Sequence, residues 1–267
     1  MLEIATVIGL ALGFSAMMIA HVWESGWQVS SLLGLMNPSA ALIVLGGTAG
    51  ALFIAYPLEE IKQLPGVIKQ TFYKNNLEPG VLVAELVKFA EKARREGLLA
   101  LESEVAAAGD PFLQKGIQLV ADGLDHETIK DMLETELDFI ASRHAGYTGM
   151  LEALGGFAPT MGIIGTVMGL IALLSNLGTD VGAMGAGIAV AFVATLYGVA
   201  TANLLWLPLG AKLKRKSEEE LLMREVMIAG ILSIQAGDNP QIVEEKLKGY
   251  LSPKMRKELA AGRGGNR

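Results

Sequence analysis

The sequence contains no cysteine, and charged residues make up only 19% of its 267 positions. The absence of cysteine excludes a disulfide framework and thiol chemistry. A soluble domain usually carries about a quarter charged residues, so this chain is short of charge for its length. Its formal net charge of −6 also argues against nucleic-acid binding, which requires a basic face.

Lysine and arginine are missing from two long parts of the chain. All 22 of them lie within residues 62–143 or 212–267, so residues 1–61 and 144–211 contain none. Hydrophobic residues make up 51% of the chain. This distribution predicts an integral membrane protein rather than a soluble domain.

Four apolar stretches are long enough to cross a bilayer as helices, which requires roughly 20 residues each. They cover residues 4–22, 38–56, 154–177 and 183–209. Because Glu3 precedes the first stretch where a signal peptide would have basic residues, we expect a retained span rather than a cleavable signal.

The loops between paired spans are short and lack basic residues, since Glu24 and Asp180 are their charged positions. The remaining segments carry every lysine and arginine, including the cluster at 212–216. By the positive-inside rule those segments and both termini are predicted to face the cytoplasm.

The predicted fold is an all-α integral membrane protein with four transmembrane helices in two hairpins. A cytoplasmic helical domain lies between spans two and three, and a helical tail follows span four. The predicted segments are a hairpin at 1–56, a cytoplasmic domain at 57–150, a second hairpin at 151–211 and a cytoplasmic C-terminal segment at 212–267. Within the last segment, residues 217–250 are predicted helical and the Gly-rich residues 260–267 disordered.

Helical periodicity extends through residues 77–144. Apolar side chains recur at three- and four-residue steps, at Val81, Leu82, Leu86, Phe89, Ala90, Leu98 and Leu101. New helices are predicted to start at Asp110-Pro111 and at Asp125. Mixed charges over residues 91–104 fit either a solvated helix face with local ion pairs or a surface that docks a charged partner briefly.

Small residues form a stripe on each of the last two spans. The stripe on span three includes a proline and a hydroxyl and consists of Pro159, Gly162, Thr166 and Gly169. The stripe on span four includes a second hydroxyl and consists of Gly187, Ala191, Ala194, Thr195, Gly198 and Ala202. Such stripes favour close helix packing in lipid. The threonine hydroxyls can bond to their own helix, or they can offer oxygen ligands to a cation.

No Asp, Glu, Lys, Arg or His occurs at residues 153–179 or 181–211. Ion pathways through membranes are normally marked by an ionisable residue within the bilayer. If this chain conducts ions, a partner's helix must therefore supply the titrating carboxylate beside the small-residue stripe.

Several motifs resemble the MotA/PomA family of flagellar stator subunits: ATVIGL, NPSAALIVLGGT, KARREGLLALE, FAPTMGIIGTVMGLI and VATLYGVATANLLWLPLGAKL. The resemblance extends from residue 1 to about residue 250. It implies a homopentamer around a dimer of a MotB/PomB-type partner with a single span, whose aspartate binds the ion. It also implies the bacterial inner membrane as the location, and rotation that turns the rotor protein FliG.

The resemblance assigns rotor engagement to Arg94 and Glu102, within RREGLLALE. On one regular helix, an eight-residue separation would put them about 80° apart, broadly on one side.

The resemblance also assigns functional roles to Pro159 and Pro208. Each proline frees a backbone carbonyl in the membrane, and the alternative is that it only introduces a static kink. The resemblance places Thr166 and Thr195 along the ion route. It also implies that the chain has no tightly bound metal and no cofactor. The transported ion stays open between Na⁺ and H⁺. Two threonine oxygens favour transient Na⁺ binding, whereas Ala194 stands where sodium-type members often have threonine.

Three other classes of protein share some of these features. An ExbB/TolQ-type energiser resembles this chain in its last two spans but has three spans rather than four. A membrane-embedded enzyme would need clustered catalytic groups, and the sequence offers none, so no enzymatic activity is expected. A structural scaffold would explain the small residues but neither the prolines nor the threonines.

Overall fold

The computed structural model describes residues 3–73, 79–105, 109–178, 180–251, 253 and 256. The predicted disordered end at 260–267 lies outside these residues. The described residues form helices without a β-strand, and their eleven α-helices are α1 Ile4–Glu24, α2 Pro38–Ala41, α3 Gly47–Ala55, α4 Leu58–Thr71, α5 Pro79–Glu96, α6 Glu102–Val105, α7 Pro111–Ala121, α8 His126–Ser175, α9 Val181–Thr201, α10 Leu207–Gln235 and α11 Pro240–Lys248.

The chain divides into two compact units. The first unit comprises residues 1–74 and 144–215, and the second comprises residues 75–143 and 216–267. Residues 57–74, which the sequence assigned to the segment 57–150, thus belong to the same unit as the apolar helices. Residues 144–150 and 212–215, which the sequence assigned to cytoplasmic segments, also belong to this unit. Because this division concerns compactness and not the membrane, the predicted membrane boundaries stay predictions.

The first unit contains four helical runs that are long and apolar enough to span a membrane, as the sequence predicted. They are α1, the run Pro38–Ala55, the part of α8 in this unit, and the beginning of the run Val181–Gln235. None of the side chains of α1 is buried, although all of α1 is described. In the second span, residues four apart form the buried face, namely Ala40, Val44, Thr48 and Leu52.

Two of these runs contain a π-helical turn, which the sequence did not predict. One turn covers Leu42–Gly46 and the other covers Ala202–Trp206. Pro208 follows the second turn, in the first turn of α10. Because proline lacks an N–H and its ring crowds the carbonyl four residues earlier, the wider turn accommodates it without ending the helix.

The start of the first hairpin is fixed by polar contacts. The Glu3 carboxylate lies 2.6 Å from the Lys212 ammonium, which also donates a 2.6 Å hydrogen bond to the Thr6 hydroxyl. Between α1 and α2 the chain forms a 3₁₀ helix at Val29–Leu35, and the Asn37 side chain caps α2 by accepting from the Ala40 N–H.

The second unit has its own apolar core, built from α5, α7, α10, α11 and the part of α8 in this unit. Asp110 caps α7 by accepting from the N–H groups of Phe112 and Leu113, and Asp125 accepts from the Thr128 N–H at the start of α8. Both predicted helix starts are therefore confirmed. Val81, which the periodicity assigned to the apolar face, is instead exposed.

The tail is helical over most of residues 217–250, as predicted, but it contains a break. α10 ends at Gln235, Gly237 has a φ of 72°, and α11 begins at Pro240 behind the capping side chain of Asn239. A left-handed glycine followed by a proline at the first helical position is a common helix stop and start.

Candidate functional site

Two hydroxyl groups meet inside the apolar unit. The Oγ1 atoms of Thr166 on α8 and Thr195 on α9 lie 2.5 Å apart. Each of them is also 3.1 Å from the carbonyl oxygen of Ala191, and Thr166 Oγ1 is 3.1 Å from the carbonyl oxygen of Gly162. Two hydroxyls and two carbonyls thus present four oxygens from two helices within one small region.

Four glycines allow this approach, because each faces the backbone of the neighbouring helix. A Cβ atom on Gly162 would lie 2.9 Å from the carbonyl oxygen of Ala194. On Gly169 and Gly187 it would lie 2.5 Å and 2.7 Å from the carbonyl oxygen of the other glycine of that pair. On Gly198 it would lie 2.5 Å from a carbonyl oxygen of α8. Real Cβ atoms are not found at these distances, so side chains here would push the helices apart.

Ala194 packs toward the second span. It is fully buried and packs in a cluster with Ala40, Val44 and Val193, and it contacts the position of Gly165. The structure therefore brings Thr166 and Thr195 together but directs Ala194 toward the second span.

The two prolines occupy different settings. Pro159 lies inside the continuous helix α8, where it leaves the carbonyl of Gly155 without its helical N–H donor. Pro208 lies just after the π turn Ala202–Trp206. Pro159 lies on α8, the helix that carries Thr166. Pro208 lies on α10, which continues through the π turn from α9, the helix that carries Thr195. Each proline removes one backbone N–H donor from its helix.

Ionisable side chains are absent from the parts of α8 and α9 that carry the threonines. Among the described residues there is no group of three or more His, Cys, Asp or Glu side chains that could hold a metal ion. The oxygens around Thr166 are neutral, so they can contribute ligands to a passing cation but not its neutralising charge.

Sequence reasoning missed two polar residues of this unit. The Tyr197 hydroxyl donates to the carbonyl of Leu35 at 2.5 Å and accepts from the Asn37 N–H at 3.3 Å, which ties α9 to the loop before the second span. Thr48 is 3% exposed, and its hydroxyl has no hydrogen-bond partner among the described residues. An isolated tyrosine within an apolar span was the available signal for Tyr197.

The second unit carries the charged pair Arg94 and Glu102, and here the single-helix prediction is wrong. α5 ends at Glu96, Gly97 has a φ of 87°, a 3₁₀ helix covers Leu98–Leu101, and Glu102 begins α6. The 80° separation on one helix therefore does not apply. The left-handed conformation of Gly97, which glycine adopts without strain, turns the chain between the two charges.

Arg94 and Glu102 are both exposed, and neither forms an ion pair or a side-chain hydrogen bond within the described part of the chain. The local pairs that do form are Lys92–Glu104 at 2.7 Å and Arg95–Glu96 at 3.5 Å. Of the local ion pairs expected on a solvated face, those between Glu91 and Arg94 or Arg95 are absent from the described residues. The two charges are thus available to a partner.

Further back on α5, burial raises the pKa of the Glu85 carboxyl above its ordinary value. A backbone hydrogen bond with Gly109 and the charge of Lys88 oppose this shift, and the nearby Asp110 carboxylate adds to it. Near the end of α10, a hydrogen bond from Lys246 instead lowers the pKa of Asp238.

Comparison with known proteins finds matches over nearly the whole chain. A family model described as the MotA/TolQ/ExbB proton channel family matches residues 104–226. Motility protein A of Bacillus subtilis (strain 168) is 40% identical over 257 residues, which cover 96% of this chain and 93% of that protein. Chemotaxis protein PomA of Vibrio alginolyticus is 34% identical over 252 residues, which cover 94% of this chain and 96% of that protein.

A solved structure of the flagellar MotAB stator complex from Bacillus subtilis contains a chain that superposes with a TM-score of 0.86. The two chains are 39% identical, and the match covers 95% of this chain and 98% of that one. The family description names TolQ and ExbB beside MotA, but the relatives matched over nearly their full length include motility protein A and PomA, and the stator chain is matched over 95% of this chain. The chain therefore belongs to the MotA/TolQ/ExbB proton channel family and, within it, to the motility protein A group of flagellar stator subunits.

Proposed function

We propose that this chain is the ion-conducting, torque-generating subunit of a bacterial flagellar stator, in which Na⁺ flow drives rotation. The observation that carries the proposal is the contact between the Thr166 and Thr195 hydroxyls, on two close-packed helices without an ionisable side chain. Membership in the motility protein A group supports the motor role. The proposed activity is transport and mechanical work rather than catalysis.

The titrating group in this proposal belongs to a partner. Because the spans themselves lack a carboxylate, a MotB/PomB-type subunit with one span would place its aspartate beside the threonine pair. The matched MotAB stator complex supports such a partner. The carboxylate would supply the negative charge, and the threonine and carbonyl oxygens would replace part of the hydration shell of Na⁺.

A proton is the alternative ion. Proton transfer requires the partner's carboxylate and water but no set of oxygen ligands, so the threonine pair would then only pack or hold water. The four neutral oxygens around Thr166 favour Na⁺, because that ion requires several oxygen ligands.

Several further features belong to the same proposal. The chain would assemble as a homopentamer around a dimer of the partner, in the inner membrane, with both termini in the cytoplasm. The cytoplasmic position of the lysine- and arginine-rich segments follows the positive-inside rule. Pro159 and Pro208 would give the helices beside the ion route the freedom to change shape as the ion passes.

Torque would pass to the rotor protein FliG through Arg94 and Glu102. Their exposure and lack of partners in the described chain support this role, since exposed rim charges mainly set encounter rate and specificity. A rotor contact must form and release rapidly, which suits such charges better than a buried apolar interface.

The proposal is tested in cells whose only stator is this chain with its cognate partner. Arg94→Glu and Glu102→Lys are each expected to abolish most motility while fluorescently tagged stators still assemble at the motor. Lys115→Glu is the control, because Lys115 lies in the same unit and pairs with Glu136 on α8. Normal motility in both charge-reversal variants would contradict the rotor contact.

A further inference from the structure

The two charges proposed to engage the rotor stand on opposite sides of a sharp corner, defined here as residues 92–104. Gly97, with its φ of 87°, turns the chain from α5 into the 3₁₀ helix Leu98–Leu101. Leu101 is fully buried in the core of the second unit, and Leu98 packs against that core. Ala93 on α5 is buried in the same core and Val105 at the end of α6 packs against it, so the core also anchors both arms, and a polar contact between their exposed faces adds a further constraint.

An ion pair joins the two arms. The Lys92 ammonium on α5 lies 2.7 Å from a Glu104 carboxylate oxygen on α6 and 2.9 Å from the Ser103 hydroxyl oxygen. The Ser103 hydroxyl in turn donates to the carbonyl of Ala100 at 2.9 Å, so its lone pairs face Lys92. Each of these hydrogen bonds pairs one donor with one acceptor, and together they connect α5, the 3₁₀ helix and α6.

The position of this pair relates directly to the two rotor charges. Lys92 is two residues before Arg94, and Glu104 is two residues after Glu102. Residues two apart on a helix point about 200° from each other. When Lys92 and Glu104 face each other across the corner, Arg94 and Glu102 are directed away from the pair, toward solvent.

We infer that the Lys92–Glu104 pair fixes the separation and direction of Arg94 and Glu102, and that both of its members are positioning residues for torque transfer. The inference rests on the proposed rotor contact. The pair is partly exposed, with 25% and 39% of the two side chains accessible, so it contributes little to global stability. Its effect is geometric, since it holds two charges that must meet a moving partner in a defined register.

The first arm of the test measures the geometry. The chain has no cysteine, so Arg94→Cys and Glu102→Cys introduce the only sites for a thiol-reactive spin label on this chain. Labelled chains, diluted with unlabelled ones in the complex with a cysteine-free partner, report the distance within one subunit. Lys92→Glu and Glu104→Lys should each shift or broaden that distance distribution, and the double exchange should restore it.

The second arm measures motility with the native residues at positions 94 and 102. Each single reversal should reduce swimming speed at least about twofold, the lower end of the coupling between contacting residues, while stator recruitment to the motor is unchanged. The double exchange Lys92→Glu/Glu104→Lys should restore most of the speed. Rescue distinguishes positioning from direct rotor contact, because a direct contact of Lys92 would be lost in the exchange.

The control is a second ion pair of the same unit. Lys115 and Glu136 join α7 and α8 at 2.5 Å, both side chains are partly exposed, and they lie outside the corner. Reversing either of them should change neither the label distance nor the speed. Equal loss of speed in these controls would mean that any broken surface pair disturbs the domain, and would overturn the inference.

The outcomes separate the inference from the proposed function. An unchanged label distance in Lys92→Glu, or a double exchange that fails to restore speed, overturns the positioning role. A shifted distance with normal speed also overturns it, provided that Arg94→Glu abolishes motility. If Arg94→Glu and Glu102→Lys leave motility normal, the rotor contact itself fails and the positioning role fails with it, although the label distance still shows whether the pair fixes the corner.

Discussion

The hydroxyl oxygen of Thr166 lies 2.5 Å from that of Thr195, and both lie 3.1 Å from the carbonyl oxygen of Ala191. Two hydroxyls have only two hydrogens to donate, so these contacts leave lone pairs that face the same small region. A cation entering there would meet neutral oxygens that already stand close together.

Replacing Thr195 by valine removes the hydroxyl but keeps the shape of the side chain. If Thr195 contributes a ligand to the ion, Thr195→Val should reduce the ion-driven speed by roughly tenfold or more, since a hydrogen bond or ligand contact to a charged group contributes about 1.5–3 kcal/mol. The measurement is swimming speed at saturating and limiting ion concentrations. Thr195→Ser should retain speed, and a Thr195→Val variant with normal ion dependence would contradict the ligand role.

Close packing of α8 and α9 depends on Gly198. In Gly198→Ala the new Cβ would lie 2.5 Å from the carbonyl oxygen of Ala158, a backbone atom that cannot rotate away. The helices must separate, which should reduce stability by about 1–3 kcal/mol. Thermal unfolding of the purified complex in detergent measures the change. Gly185→Ala on the same helix is the control, because no described atom lies within 4 Å of its added Cβ; equal midpoints for the two variants would be inconsistent with this packing.

The Lys212 side chain holds the start of α1 through Glu3 and Thr6. Because no side chain of α1 is buried against the chain, Lys212→Met should loosen the first turns of this helix. Amide hydrogen exchange of the complex in lipid nanodiscs should then be faster over residues 4–10. Lys214→Met is the control, since Lys214 is exposed and forms no ion pair within the described residues. Equal exchange rates in the two variants would show that the pair does not hold α1.

Burial raises the pKa of Glu85 in the folded protein, so folding disfavours its ionised form. The wild-type chain therefore loses stability as the pH rises through the folded-state pKa, whereas Glu85→Gln carries no charge there. Glu85→Gln should be more stable than the wild type at neutral pH, and the difference should vanish below the ordinary pKa of glutamate, where both side chains are neutral. Thermal unfolding of the complex across this pH range measures the difference.

The pKa of Asp238 is shifted in the opposite direction to that of Glu85. The hydrogen bond from Lys246 lowers its pKa, so its contribution to stability is present above the ordinary pKa of aspartate and is lost as the pH falls through the lowered value. Asp238→Asn should therefore be less stable than the wild type at neutral pH. Shifts of the same sign in both variants would contradict these assignments.

The apolar helices and helix starts could be predicted because their signals are local. Span length follows from runs without charge, and the caps at Asp110 and Asp125 follow from side chains that accept backbone N–H groups. The small-residue stripes predicted close packing of the last two spans, but the direct contact between Thr166 and Thr195 was not predicted.

The corner at Gly97 could not be predicted from periodicity. Leu98 and Leu101 continue the three- and four-residue spacing of α5, so the pattern runs on although the helix has ended. A 3₁₀ helix brings residues three apart to one face, which mimics the spacing of an α-helix over one turn. The Lys92–Glu104 contact depends on that corner, so it could not be predicted from the sequence either.

The π turns were unpredictable for a related reason. Leu42–Gly46 is apolar, and Ala202–Trp206 is apolar apart from Asn203, so both sequences suit an α-helix equally well. A π turn adds one residue within an α-helix and is rare, so the pattern of apolar residues favours a regular α-helix there. Pro208 was the available signal for the second turn, because its ring disfavours a regular turn before it.

The central claim is that ion flow past the threonine pair drives rotation. It is tested most directly by swimming speed against external Na⁺, at fixed pH and membrane potential, in cells with this chain and its cognate partner as the only stator. Speed should rise from near zero with Na⁺ and saturate, and Thr195→Val should require more Na⁺ or fail to swim. Speed that is independent of Na⁺ but abolished by a protonophore would contradict Na⁺ coupling and leave a proton-driven motor, and no swimming under either gradient would contradict the motor role itself.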